Sequence, residues 1–118
     1  SRSLAQIVRA GEGAKLQGFG SGVEARLLVR DMHRRVQPVR LTLAPGASHR
    51  NDRGHAGEEF LMVLRGAILF DLDDAPSERL EEGDSVFYPS ALSHAYQNPG
   101  EVEAVLLTIS VPNTWSHF

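Results

Sequence analysis

Cysteine is absent from this 118-residue chain, which excludes disulfides, iron–sulfur clusters and zinc sites built from thiolates. Long hydrophobic runs are absent too. None approaches the ~20 residues of a membrane-spanning helix, and the first residues do not have the pattern of a signal peptide. Hydrophobic residues make up 42% and charged residues 23% of the chain. These values are typical of one globular domain, which we expect to be cytoplasmic and to have no membrane partner.

Lysine is scarce, since eleven of the twelve basic residues are Arg. Residues 1–59 carry ten Lys/Arg and six Asp/Glu, a net charge of +4, whereas residues 60–118 carry two and nine, a net charge of −7. Ordinary surface charge explains this distribution; the alternative is an Arg-rich face that meets a phosphate, a carboxylate or a partner domain. Because the net charge is −3, we do not expect this chain to bind DNA directly.

A sustained helical period with caps is also missing, and short strands separated by Gly and Pro turns dominate the pattern. The predicted strands cover residues 23–30, 39–43, 59–64, 67–72, 85–88, 94–98 and 102–111. Many short strands of this kind indicate an all-β sandwich or barrel. Residues 1–22 are weakly patterned, and we interpret them as an N-terminal arm with one or two short edge strands.

Two of the five histidines have neighbours that suit metal chemistry. His55 lies four residues before Glu59, at the start of an apolar strand, and His94 opens a later strand. If these strands line one barrel interior, the three side chains converge. Two imidazoles and one carboxylate form the facial triad that binds Fe(II) and also suits Mn, Ni or Zn. Spacing alone leaves the alternative open that these are surface histidines and a solvated glutamate.

The aromatic residues have two interpretations. Tyr88 and Tyr96 lie on either side of His94 in the sequence. They are candidates for a pocket wall that holds a small ligand by stacking and one hydrogen bond. The alternative is that they are core or rim aromatics with satisfied hydroxyls. Alternation along the strands favours core positions for Phe60, Met62, Phe70 and Phe87.

The spacing of these residues resembles the two sequence motifs of the cupins. The first motif is Gly46 followed by His55-x3-Glu59-x6-Gly66, and the second is Gly83-x5-Pro89-x-Ala91-x2-His94-x3-Asn98. The resemblance covers residues 41–111, which we take as the core of a single cupin domain spanning residues 1–118. It implies a double-stranded β-helix, or jelly roll, with a pocket between its sheets and with metal ligands at His55, Glu59 and His94.

Two positions depart from the cupin pattern. Arg53 stands where the first motif usually has another histidine, and Ala91 stands where the second usually has glycine. A three-ligand site is still implied, because cupin enzymes such as phosphonate epoxidases resemble this His-x3-Glu plus His arrangement. Alternatively, the Arg53 guanidinium repels a cation and binds an anionic ligand. His49 lies nearby in the sequence and is a candidate for the missing ligand or for a ligand contact.

A finer resemblance concerns function. Several segments are similar to the C-terminal cupin of bacterial regulators that carry an N-terminal helix-turn-helix: Val8–Ala10, Asp31–Val39, Leu43–Gly46, Gly57–Gly66, Gly83–Tyr88 and Leu106–Pro112. The resemblance implies an effector-sensing domain with no catalytic residues, in which a small polar or anionic molecule contacts Arg53, Tyr96 and the ligand triad. DNA would be bound only through a preceding domain, and the start at Ser1 in place of Met agrees with a piece of such a protein.

The alternatives are a metal-dependent oxygenase, isomerase or epoxidase, and a structural cupin whose pocket is vestigial. Replacement of a histidine by Arg53, and the lack of an obvious spare carboxylate or Lys beside the triad, disfavour an enzyme. We also expect a homodimer, because pairing of strand edges between subunits removes the hazard of open edges. Residues 1–22 are the natural candidate for exchange between subunits.

Overall fold

A computed structural model describes residues 4–52 and 54–112. These residues form ten β-strands: β1 Lys15–Leu16, β2 Val23–Leu27, β3 Gln37–Leu43, β4 Ser48–Asn51, β5 Glu58–Arg65, β6 Ala67–Leu72, β7 Glu78–Glu81, β8 Ser85–Pro89, β9 His94–Gln97 and β10 Ala104–Val111. Within these two ranges, the structure contains no helix that is long and apolar enough to cross a membrane.

The strands form two antiparallel sheets. The six-stranded sheet has the order β1-β2-β3-β10-β5-β8, and the four-stranded sheet has the order β4-β9-β6-β7. From β3 onward the chain passes repeatedly from one sheet to the other, so that sequence neighbours face each other across the interior. This is the winding of a jelly roll, and the predicted all-β jelly-roll fold is confirmed.

The interior is apolar at one end and polar at the other. Side chains alternate between buried and half-buried along β3 and β10, as expected when one face of a strand is inside. On β5 the inward residues are Glu59, Leu61 and Val63. Their partners on β10 are Ser110, Thr108 and Leu106. Burial of each large aliphatic side chain contributes about 1.5–3 kcal/mol to the free energy of folding. The apolar end therefore holds the sheets together, and the polar end contributes less to their packing.

The prediction that Phe87 belongs to the core is wrong, whereas Phe70 is buried as predicted. Phe87 is 62% exposed because the alternation along β8 turns Tyr88 inward and Phe87 outward. On the outer face of the six-stranded sheet Phe87 lies opposite Phe60, which is itself only half-buried. Met62, on the same face of β5, is also half-buried. Three of the four residues predicted for the core, Phe60, Met62 and Phe87, therefore lie on the outer face.

The N-terminal arm contributes one short edge strand to its own chain. Lys15 pairs with Arg26 and Leu16 with Ala25, which places β1 beside β2 at the edge of the six-stranded sheet. The loop between β1 and β2 then carries Phe19 toward the polar end of the interior, where it takes part in the site.

Candidate metal centre

Two loops are joined by main-chain hydrogen bonds, and this juncture brings the histidines together. The amide of His55 donates to the Ser90 carbonyl at 2.9 Å, and the Ser90 amide donates to the Gly57 carbonyl at 2.9 Å. Gly57 has a φ of 109°, and a Cβ there would lie 2.4 Å from the Val111 carbonyl oxygen. Only glycine fits there, because the loop before β5 also lies directly against the end of β10.

Three side chains converge at this juncture. Donor atoms of His55, Glu59 and His94 all lie within 4.8 Å of one another. His55 Nε2 lies 3.8 Å from Glu59 Oε2, and His94 Nε2 lies 3.6 Å from Glu59 Oε1. The convergence predicted from their spacing is therefore what the fold produces.

The tautomer of His94 is set by the main chain. Its Nδ1 lies 2.8 Å from the Leu92 carbonyl, which can only accept a hydrogen bond. A proton therefore resides on Nδ1, and Nε2 faces the Glu59 carboxylate. His94 is only 4% exposed, so this orientation is held by surrounding atoms as well. A carbonyl behind a histidine in this way is the usual support of a metal ligand.

Glu59 is held at both oxygens. The hydroxyl of Tyr88 donates to Oε1, and the hydroxyl of Ser110 donates to Oε2 at 2.7 Å. Burial raises the pKa of Tyr88 far above its ordinary value, and the nearby Glu59 charge adds to this effect. The phenol therefore remains protonated and acts as a donor. Tyr88 supports the carboxylate and is not among the described residues that line the neighbouring cavity.

The chemistry of this donor set fits a divalent cation. Within the described ranges Glu59 pairs with no Lys or Arg, and its ion-pair partners there are the two imidazoles. Donors bound to one ion at about 2.1 Å lie about 3 to 3.5 Å apart, slightly closer than the two His–Glu separations of 3.8 and 3.6 Å. The Nδ1 of His55 is buried with no hydrogen-bond partner among the described residues, so no described carbonyl fixes its tautomer as Leu92 does for His94. Fe(II), Mn, Ni and Zn all accept two imidazoles and a carboxylate.

A cavity of about 300 Å³ opens from the donor cluster. Besides the three donors, its lining consists of Gln17, Gly18, Phe19, Val39, Leu41, His49, Asn51, Tyr96, Thr108 and Ser110. Two of the predicted ligand contacts, His49 and Tyr96, thus lie on its wall. His49 is not in the donor cluster. Arg53 lies outside the described residues.

His49 and Tyr96 are both uncharged on this wall. Burial lowers the pKa of His49, and the neighbouring His94 lowers it further, against a smaller opposing effect of Glu59. Burial and the Glu59 charge raise the pKa of Tyr96. The two rings lie 5.6 Å apart between centroids, and Phe19 lies 4.5 Å from His49.

The sequence analysis missed several residues of this site. Ser110 and Thr108 interrupt the apolar run of β10 at inward positions, which is a signal that an interior polar feature is present. Phe19 and Asn51 reach the cavity from a loop and from a strand whose sequences carry no such signal.

The described residues form an antiparallel jelly roll, and two histidines and a glutamate lie inside it beside a small cavity. This arrangement is typical of barrel proteins with a site between two sheets. The chain belongs to the cupin family, because the cupin domain (Cupin_2) matches residues 39–110, which is more than half of its length.

Comparisons with individual proteins agree with this assignment. Protein SchB of Streptomyces halstedii is 42% identical over 50 residues, which cover 42% of this chain and 36% of SchB, so the match spans about a third of that relative. The crystal structure of Fe(II) HppE superposes with a TM-score of 0.75 at 26% identity, covering 91% of this chain and 60% of that one. The Cupin_2 domain of an XRE family transcriptional regulator from Enterobacter cloacae gives a TM-score of 0.69 at 20% identity. That match covers 77% of this chain and 97% of that one, and it shows a shared fold.

Proposed function

We propose that this chain binds one divalent metal ion through His55, Glu59 and His94, and that it takes up a small molecule beside the metal as the effector-sensing domain of a transcriptional regulator. The observation that carries the proposal is the position of the cavity. All three donors lie within 4.8 Å of one another and line the cavity, so coordination positions that they leave free would be open to a ligand held there. Likeness to an iron(II) protein at 26% identity supports Fe(II) among the metals that suit these donors.

The uncharged cavity wall supports binding in preference to chemistry. Outside the donor triad, the titratable groups in the described lining are His49 and Tyr96. Tyr96 is a poor acid because burial raises its pKa. A sensor needs only different affinities of its effector for two states of the regulator, and a coupling of about 1–3 kcal/mol is enough for a switch. The fold shared with the cupin domain of an XRE regulator agrees with this role.

An enzyme is the second candidate, favoured by one specific observation. Among the described residues three protein donors converge, which would leave coordination positions for a substrate as well as for water. A metal there would polarise a bound substrate or activate dioxygen, as in oxygenase, isomerase or epoxidase chemistry. In that case His49, kept neutral by burial, is the residue on the wall that can accept a proton.

Metal content tests the proposal directly. Untagged protein is reconstituted anaerobically with Fe(II), Mn(II), Ni(II) or Zn(II), and bound metal is counted by elemental analysis after gel filtration. We expect near-stoichiometric metal in the wild type and in His33→Ala, which alters an exposed histidine away from the site, but not in His94→Ala. A wild type that retains none of the four metals contradicts the proposal. Oxygen uptake by the iron form with candidate ligands then separates an enzyme from a sensor.

We also propose a homodimer, supported by the outer face of the six-stranded sheet. The strand register places Phe87, Phe60, Ile109 and Pro38 in one row across four strands. Phe87 is exposed and the other three are half-buried, and apolar rows that reach the surface in this way are typical of interfaces between subunits. Since β1 pairs with β2 of the same chain, this face is a better candidate for the contact than exchange of the arm.

A further inference from the structure

The cavity has one aromatic wall. His49 on β4 and Tyr96 on β9 are cross-strand partners in the four-stranded sheet, and Phe19 extends the series from the β1–β2 loop. The ring centroids are 4.5 Å apart for Phe19 and His49 and 5.6 Å apart for His49 and Tyr96, with interplanar angles of 41° and 42°. Three consecutive rings therefore line one side of the space beside the donor cluster.

The opposite wall is aliphatic at Val39 and Leu41 and polar at Thr108 and Ser110. Val39 and Leu41 on β3 belong to the six-stranded sheet, which faces the four-stranded sheet across the interior. Facing sheets are separated by about 10 Å, and side chains fill part of that distance. The space left between the two walls is therefore narrower than the distance between the sheets, and it suits a flat molecule better than a thick one.

Among the described lining residues, the carboxylate lies in the donor cluster. Neither Lys nor Arg is among them, and burial lowers the pKa of His49. An anionic group far from the donor cluster would therefore find no described cation. An oxygen donor beside the cluster, by contrast, would find the proposed metal.

The volume sets the size of the occupant. An apolar cavity of about 150 Å³ holds a benzene molecule, so a cavity of about 300 Å³ has room for about two fused rings.

We infer that the ligand of this cavity is a planar aromatic molecule of one or two rings. It carries a single oxygen-donor group, either a carboxylate or a phenolate. The donor faces the cluster of His55, Glu59 and His94, and the ring system lies along Phe19, His49 and Tyr96. This inference rests on the proposed metal function for the orientation of the ligand. Stacking on the aromatic wall is independent of the metal.

Isothermal titration of the Zn(II)-loaded protein tests the inference with three carboxylates of equal charge: benzoate, 2-naphthoate and cyclohexanecarboxylate. We expect 2-naphthoate to bind most tightly, and benzoate to bind about fivefold or more tightly than the non-planar cyclohexanecarboxylate, because only a flat ring stacks on the wall. Equal or tighter binding of cyclohexanecarboxylate would overturn the inference.

Variants locate the effect. Phe19→Leu keeps an apolar side chain but removes a ring, and it should abolish most of the preference for benzoate. Phe87→Leu makes the same change on the outer face of the sheet and should leave the preference intact. Loss of the preference in Phe87→Leu, or its persistence in Phe19→Leu, would contradict the assignment of the wall.

A metal-free arm separates this inference from the proposed function. Neutral 2-naphthol and its saturated analogue decahydro-2-naphthol are titrated into EDTA-treated protein. If the wild type takes up no metal but still prefers 2-naphthol in a Phe19-dependent manner, the metal function fails and the aromatic slot stands. The opposite outcome is stoichiometric metal binding with no preference for benzoate over cyclohexanecarboxylate or for 2-naphthol over decahydro-2-naphthol. In that case the aromatic slot fails and the metal function stands.

Discussion

Tyr88 and Glu59 are direct cross-strand partners on β8 and β5, and the hydroxyl of Tyr88 donates to Glu59 Oε1. Ser110, the partner of Glu59 on the other side, donates to Oε2. One row of the sheet thus holds both oxygens of the carboxylate. The register of three strands orients the central donor of the candidate metal site, without help from any loop.

Replacement of Tyr88 by Phe should weaken metal binding. The ring is kept, so packing is preserved, but Glu59 Oε1 loses its hydrogen bond. Loss of such a supporting contact typically costs about 10–100-fold in metal affinity. Competition against a chelator of known affinity measures the change. Tyr96→Phe, which removes a hydroxyl from the cavity wall, is the matched control and should bind metal as the wild type does. Equal metal affinity in Tyr88→Phe and Tyr96→Phe would mean that the hydrogen bond from Tyr88 to Glu59 does not strengthen metal binding.

Replacement of Gly57 by Ala should destabilise the protein. The added Cβ would lie 2.4 Å from the Val111 carbonyl oxygen, at a φ of 109° that side chains rarely adopt. We expect a loss of about 2–4 kcal/mol in the free energy of unfolding, measured with urea. Gly46→Ala is the control, because Gly46 also has a positive φ but nothing lies within 4 Å of its Cβ position. That control should lose about 1 kcal/mol, and a similar loss in both variants would refute the close approach as the cause.

Metal should stabilise the folded protein through Glu59. A ligand present at 100 times its dissociation constant raises the free energy of unfolding by about 2.7 kcal/mol when it binds only the folded state. Glu59→Gln keeps the size of the side chain but removes its charge, so most of this gain should disappear. Urea titrations with and without Zn(II) measure the gain for each protein. The idea fails if Glu59→Gln is stabilised as much as the wild type.

A charge on the outer sheet face should separate the proposed dimer. Phe87→Lys would place an ammonium group in the apolar row opposite Phe60, where burial in an interface leaves it without a partner. Sedimentation at micromolar concentration should report a dimer for the wild type and a monomer for this variant. Val102→Lys changes another exposed apolar residue, away from that row, and should remain dimeric. A monomeric wild type would rule out the dimer.

Strands with an apolar alternation were predictable from the sequence, and two polar strands were not. The sequence of β4 is Ser-His-Arg-Asn, without an apolar residue, and β7 has only Leu80. Both lie at the edges of the four-stranded sheet, where water satisfies one side of the strand. Their existence depends on partners far away in the sequence, such as Tyr96 for His49, and local patterns do not report such pairing.

The donor residues were predictable, whereas their support was not. The spacing of His55, Glu59 and His94 matches a family motif, and the structure brings the three together. That Tyr88 would serve Glu59 depends on strand register, which no short segment encodes. Phe87 was misplaced because alternation says which residues share a face but not which face is inside when both carry apolar side chains.

The reciprocal hydrogen bonds between the loops of His55 and Ser90 make a frame that does not involve the donor side chains. Both bonds run between main-chain atoms, so a substitution at position 55 or 94 changes a donor without cutting the frame. Ligand sets can therefore be exchanged one residue at a time on an intact scaffold. A protein engineer who wishes to install a different metal, or none, can keep the two loops as they are. The main-chain hydrogen bonds already align the donor positions, so only the residues at those positions need to be replaced.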